Sequence, residues 1–206
     1  MTDSNGTRSG RRPGNSGTKE AILDAARTRF AAVGFLKASI RSIASAAGVD
    51  PALVHHYFGT KHELFAAALK LPIDPNDILS RFRTVPIEDL GETIIRTVVS
   101  IWDSPMGVPV VAAFRGLLLG DDPSLARTFL LEIVLKEIQP RVDSPPGTGA
   151  KRASLAASQL AGLFLTRKIL HLEPIASMPV DELATTVGPT LQRYFTGELD
   201  GLTPLE

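Results

Sequence analysis

The chain of 206 residues contains no cysteine, so disulfides and thiolate metal sites are excluded at once. No apolar run approaches the ~20 residues of a membrane-spanning helix, and no membrane span is expected. The N-terminus is polar and glycine-rich and lacks the hydrophobic stretch of a signal peptide, which makes a cytoplasmic location the expectation. Alternating strand patterns, internal repeats, nucleophile elbows, phosphate-cradling glycine loops and paired-carboxylate signatures are all missing. No catalytic residue is therefore assigned, no cofactor is expected, and the chain is not read as an enzyme. Zinc is also unsupported: His55 and His56 point about 100° apart on a helix, and no ligand at suitable spacing joins them.

Net charge is zero as well, but the charge is unevenly placed. Residues 1–61 hold nine Lys/Arg against four Asp/Glu, and the rest of the chain holds 13 against 18. Such asymmetry suggests that the first part meets a polyanion and the remainder does not. Residues 1–16 carry Arg8, Arg11 and Arg12 with almost nothing apolar. They cannot bury enough surface to offset ordering and are expected to form a disordered basic arm able to reach phosphates or a minor groove.

The most informative stretch is 39–61. Ile40, Ile43, Ala44 and Ala47 recur at helical spacing, and Gly48 follows where the chain must turn through a left-handed conformation. Asp50 offers an N-cap oxygen and Pro51 a first helical residue that needs no N–H. A second short helix then carries Val54 inward, and Thr60 with Glu63 has the spacing of a capping box for the next one. Upstream, Ile22, Ala26, Phe30 and Val33 share one face of a helix that Gly34 should end. Two helices joined by such a glycine turn make a helix-turn-helix unit.

The run from Thr18 to about Leu69 resembles the N-terminal DNA-binding domain of the TetR family of transcriptional regulators. Gly34-Phe35, Ser39-Ile40-Arg41, Ile43-Ala44, Ala47-Gly48-Val49, Tyr57-Phe58 and Lys61 carry the resemblance. The chain departs from the family pattern at Ala38, where threonine is frequent, at Asp50, where serine is favoured, and at Ala52, where glycine is usual. His55 stands where the family commonly has a phosphate-contacting tyrosine. The residue patterns give an all-α fold of about nine helices with a disordered arm over 1–16, and the resemblance implies a helix-turn-helix domain over 17–70 and a helical regulatory and dimerisation domain over 71–206.

Within that frame the candidate DNA-contacting residues are Arg11, Arg12, Ser39, Arg41, Pro51, Ala52, Leu53, His55, His56, Tyr57 and Lys61. The first residues of the second helix would face bases in the major groove. Pro51, Ala52 and Leu53 could touch thymine methyls but carry no hydrogen-bond code. Arg41 is the candidate for bidentate contact with guanine or a phosphate. Lys61, in the first turn of its helix, could share one phosphate with the amides there.

Beyond residue 71 only period and composition speak. Apolar helices are expected over about 86–102, 108–119, 122–138, 150–172 and 180–194, with a shorter one ending at Arg83. The resemblance implies a small-molecule site among them. Trp102, Phe114, Phe129 and Phe164 are candidate walls, with Arg96 or Arg115 as a polar anchor, suited to a small apolar or amphipathic effector. The resemblance also places a homodimer interface on the last two long helices, for which Ala153, Ala156, Leu160, Leu163, Val187, Leu191 and Tyr194 are candidates. Periodicity alone leaves an intrachain core open as the alternative. The expected function is a ligand-responsive regulator, a repressor that binds a near-palindromic operator in double-stranded DNA as a dimer. The alternatives are a DNA-binding protein of this fold without a small-molecule ligand, and an all-α enzyme or ligand carrier.

Overall fold

A computed structural model describes residues 16–71, 74–119 and 124–199. Among these residues every regular element is helical. The first is α1 (Ser16–Lys37), whose winding is broken at Gly34, with φ 79° and ψ 169°. A side chain there would be strained, and a Cβ would also collide with the Glu132 carboxylate. The expected end of the first helix is thus a kink, after which the chain completes one more turn to Lys37.

Helices α2 (Ile40–Ala47) and α3 (Pro51–Phe58) form the helix-turn-helix, and α4 (Lys61–Ala68) follows. Each starts on a side-chain cap. The Ser39 and Thr60 hydroxyls accept from the amides of Ser42 and Glu63, and Asp50 accepts from Ala52. Glu63 returns the favour by accepting the Thr60 amide at 2.6 Å. Gly48 closes α2 with φ 67°, and Val49 N–H donates to the Ala44 carbonyl. Inside, Phe30 packs edge-on against Phe65 at 4.9 Å and Phe35 lies 5.2 Å from the same ring. Full burial of a side chain such as Phe30 contributes about 1.5–3 kcal/mol.

The second part opens with α5 (Pro75–Thr84), a 3-10 turn (Ile87–Asp89), α6 (Leu90–Asp103) and α7 (Gly107–Leu119). Then comes one continuous rod: α8 (Ser124–Thr128), a π-helical segment (Phe129–Leu135), α9 (Lys136–Ile138) and a 3-10 turn (Gln139–Val142). It is followed by α10 (Gly149–Phe164), which runs into a second π segment (Leu165–Ile169), and by α11 (Val180–Thr196). Among the described residues the continuous rods number ten, against the nine or so expected.

The α6–α11 pair is the tightest crossing. A Cβ on Gly91 would lie 2.5 Å from the Gly188 carbonyl oxygen, and one on Gly188 would lie 2.8 Å from the Glu92 Cα. Small residues at facing positions let the two axes approach closely. Gln192 fastens the crossing by accepting the Gly91 amide and donating to the Ile87 carbonyl, both at 2.9 Å. Buried Arg152 donates to the carbonyls of Tyr194, Phe195 and Gly197, satisfying the end of α11. Buried Arg167 pairs with Asp103 at 2.6 Å, and Lys168 joins the same carboxylate. Among the described residues no single helix is long and apolar enough to cross a membrane.

Candidate nucleic-acid interface and regulatory cavity

On α3 the caps fix which side chains turn outward. Val54 and Phe58 are buried, and the opposite face presents Ala52, His55 and His56. Spacings of three and four residues place these on one stripe. Pro51, Leu53 and Tyr57 are half-buried at its edges. His55 is not idle, because its Nδ1 pairs with the Gly59 carbonyl at 2.8 Å and closes the C-terminal end of α3. The His56 ring meets Tyr57 edge-on at 5.4 Å. Arg41, the second residue of α2, is exposed, and Ser39 is engaged as the N-cap of the same helix. Arg11 and Arg12 lie outside the described residues.

Lys61 departs from the expectation of a cation held out for a phosphate. Its Nζ lies 4.4 Å from the centroid of the Phe35 ring and donates to the Leu36 carbonyl at 3.4 Å. Burial pulls its pKa below the ordinary lysine value, and the charge of Glu132 acts in the opposite sense. The side chain thus braces the bend between α1 and α2. Sequence offered no hint of this, because its partners lie 25 residues away at Leu36 and in the π segment.

Glu132 reaches the same bend from the second part of the molecule. Its Oε2 accepts the Leu36 amide at 2.7 Å. The two residues are 96 apart in sequence, so periodicity could not pair them.

A cavity of about 600 Å³ opens among α5, α6, α7, the Phe129–Leu135 segment and α10. Trp102, Phe114, Phe129 and Phe164 all line it. Trp102 and Phe114 both pack against Phe164, at 5.1 and 5.8 Å, and Phe114 meets Phe129 at 5.5 Å. Neither expected arginine is there. Arg96 stands on the outer side of α6, bridging Glu92 at 2.7 Å and Asp181, because its partner one turn earlier holds it at the surface. Arg115 is exposed and outside the lining. The one charged lining residue among those described is Arg127. Leu130, Leu131 and Val134 follow it at three, four and seven residues on one helical face, but the sequence does not say which way that face turns.

The expected interface residues divide. Ala153, Ala156, Leu163 and Leu191 are covered by the chain's own packing, Leu191 beneath the close α6–α11 crossing. Ala153, Ala156 and Leu160 line the cavity. Val187 and Tyr194 are half-buried. What α10 leaves outside is a different stripe, Leu155, Ser158, Gly162 and Leu165, with Ala161 beside it.

A capped helix-turn-helix joined to a helical body with an apolar cavity defines a class of DNA-associated helical proteins. Two family sequence models match. "Bacterial regulatory proteins, tetR family" covers residues 22–68, and "Tetracyclin repressor-like, C-terminal domain" covers residues 88–195. The chain belongs to the TetR family. It is 42% identical over 52 residues to the HTH-type transcriptional regulator BetI of Rhizobium meliloti (strain 1021), a stretch covering 25% of this chain and 26% of that protein. It is 39% identical over 70 residues to the HTH-type transcriptional repressor SCO4008 of Streptomyces coelicolor, covering 30% and 36% respectively. The matches thus span about a quarter to a third of the length of those curated relatives. A solved TetR-family regulator from Streptomyces coelicolor, SCO0857, is 34% identical, with 91% of this chain and 99% of that chain covered and a TM-score of 0.41.

Proposed function

We propose that the protein is a ligand-responsive transcriptional regulator, a repressor that binds a near-palindromic operator as a homodimer in the cytoplasm. The observation that carries this reading is the outward stripe of α3, Ala52, His55 and His56, on a helix-turn-helix whose turn is capped on both sides and whose first helix exposes Arg41. Inserted in the major groove, α3 offers apolar contact from Ala52 and hydrogen bonds from the histidines, and Arg41 reads guanine or grips a phosphate. Residues 17–70 form the reading head, 71–206 the regulatory and dimerising part, and the basic arm over 1–16, with Arg11 and Arg12, adds phosphate contacts.

The second copy docks on the outward stripe of α10. The cavity takes a small apolar or amphipathic effector that favours a conformation whose heads no longer match the operator. Its leverage is bounded by its differential affinity for the two conformations. The cavity is also the reason to prefer this reading over a ligand-free DNA-binding protein of the same fold.

Selection of bound duplexes from a random pool, followed by affinity against salt on the winner, tests the proposal. An enriched near-palindrome with a steep salt slope is expected. Folded, dimeric protein that enriches no sequence at low salt would overturn it.

A further inference from the structure

Two cavities meet at one arginine. Besides the apolar cavity there is a second space of about 580 Å³ between the end of α1 and α8, and Arg127 and Leu131 line both. The first holds no other charged lining residue among those described, whereas the second adds Lys37, Thr128 and Glu132. Glu132 is already committed, because its Oε2 accepts the Leu36 amide and its carboxylate fills the space beside Gly34.

A molecule with its tail among the aromatic rings would carry its head past Arg127 into this second space. A cationic head there would be repelled by Arg127 and Lys37. A neutral polar head would gain only a charge–dipole hydrogen bond from either. An anionic head gains a charge-assisted hydrogen bond from the guanidinium, stronger than one between neutral groups.

We propose that the joined cavities take a single-chain carboxylate amphiphile, its tail beside Trp102, Phe114 and Phe164 and its head at Arg127, and that the head's charge drives Glu132 off the Gly34–Leu36 bend. The proposal rests on the ligand-responsive reading above. Two carboxylates sharing one space repel each other, and Glu132, hydrogen-bonded to one backbone amide, gives way against the attraction of Lys61. That bend leads directly into the Ser39 cap of α2, and its Leu36 carbonyl receives Lys61. Releasing it therefore loosens the tie between the cavity wall and the reading head. By reciprocity, the factor by which the carboxylate weakens operator binding is the factor by which operator weakens carboxylate binding.

Trp102 is the only tryptophan of the chain and lines the cavity, so bromine brought against it quenches its fluorescence. The full chain is titrated with ω-bromododecanoate, its methyl ester and the matching ω-bromododecyl trimethylammonium. The acid should bind at least tenfold more tightly than either. Arg127→Gln should abolish the preference and leave the ester unchanged, and Arg127→Lys should restore part of it. Equal affinities of acid and ester, or tighter binding of the ammonium, would overturn the head-group assignment.

Glu132→Gln tests the coupling, since the amide oxygen can still accept the Leu36 N–H while the charge is gone. It should bind the acid at least as tightly as the wild type does. The acid should weaken operator binding tenfold or more in the wild type and less than threefold in Glu132→Gln. An undiminished effect in Glu132→Gln would sink the displacement step. Quenching needs no DNA, so a protein that shows the acid preference but enriches no operator supports the ligand site and counts against the regulator reading alone.

Discussion

Gly91→Ala sets two physical effects of opposite sign against each other. Within a helix, alanine is favoured over glycine by about 1 kcal/mol, so propensity alone predicts a more stable protein. The α6–α11 crossing predicts the reverse. The new Cβ would sit 2.5 Å from the Gly188 oxygen, 2.7 Å from the Gln192 nitrogen and 3.1 Å from the Gln192 Cα, all of them backbone atoms that cannot swing aside. Ordinary contact begins near 3.4 Å, so the helices must part by close to an ångström and strain both hydrogen bonds of the Gln192 side chain. Overpacking of this kind costs about 1–3 kcal/mol, leaving a net loss of roughly 0–2 kcal/mol. In a chain of this size that lowers the melting temperature by up to about 8 °C, whereas propensity alone would raise it. Thermal and urea unfolding followed by circular dichroism, at one fixed protein concentration, would measure it. Gly116→Ala in α7 is the control, because its Cβ meets nothing within 4 Å among the described residues. It should stabilise by up to about 1 kcal/mol. If Gly91→Ala is as stable as that control, the close crossing is wrong.

Asp103 gives a pH prediction. Burial pushes its carboxyl up, but the hydrogen bonds from Arg167 and Lys168 outweigh this and hold it below the ordinary value. The unfolded chain therefore binds more protons, and the stabilisation is complete above about pH 4 and is lost as pH falls through the folded pKa. Asp103→Asn should cost about 1–3 kcal/mol at neutral pH, less than the loss for a fully buried pair because Asp103 is a quarter exposed, and should flatten the acid limb of stability. An unchanged acid limb would remove the pair from the account. Gly162→Ala tests the dimer surface, since its Cβ meets nothing within 4 Å in the single chain. A tenfold or greater weakening of dimerisation by sedimentation, with the fold intact, is expected; unaltered dimerisation would move the interface elsewhere. Arg41→Ala should weaken specific operator binding by roughly 1–3 kcal/mol and random DNA less, equal losses marking a phosphate contact instead. Lys61→Ala should show up first in thermal stability, because its ammonium braces Phe35 and Leu36. A changed salt slope with unchanged stability would return it to the DNA.

The helix-turn-helix was legible because its signals are local. Gly48, Asp50, Ser39 and the Thr60–Glu63 pair each act within four residues, and each sits where its chemistry requires. The kink at Gly34 was half legible: the glycine announced a break, but the extra turn beyond it depends on Glu132, far along the chain. The aromatic candidates for the cavity could be named from composition, yet Arg96 and Arg115 could not be separated from Arg127 without knowing which helix face turned inward. Glu92, one turn before Arg96, was the available clue that this arginine had a surface partner. The division of α10 into an inner and an outer stripe was illegible in principle. Alanine and glycine favour close approach whether the neighbour belongs to the same chain or to another, and Ala153 and Gly162 differ only in what surrounds them.

The π winding of Phe129–Leu135 also constrains how the gene can drift. Such a turn accommodates an additional residue relative to regular α winding, and losing one would let the rod run as ordinary helix. The helices on either side would keep their facing, because the wide turn had absorbed the extra residue. Phe129 lines the cavity and Glu132 meets the Gly34 bend, and both lie inside the wide turn, so regular winding between them would change the angle at which the two side chains diverge. The cost of a one-residue deletion here would therefore fall on the link between cavity and bend and spare the packing of the flanking turns.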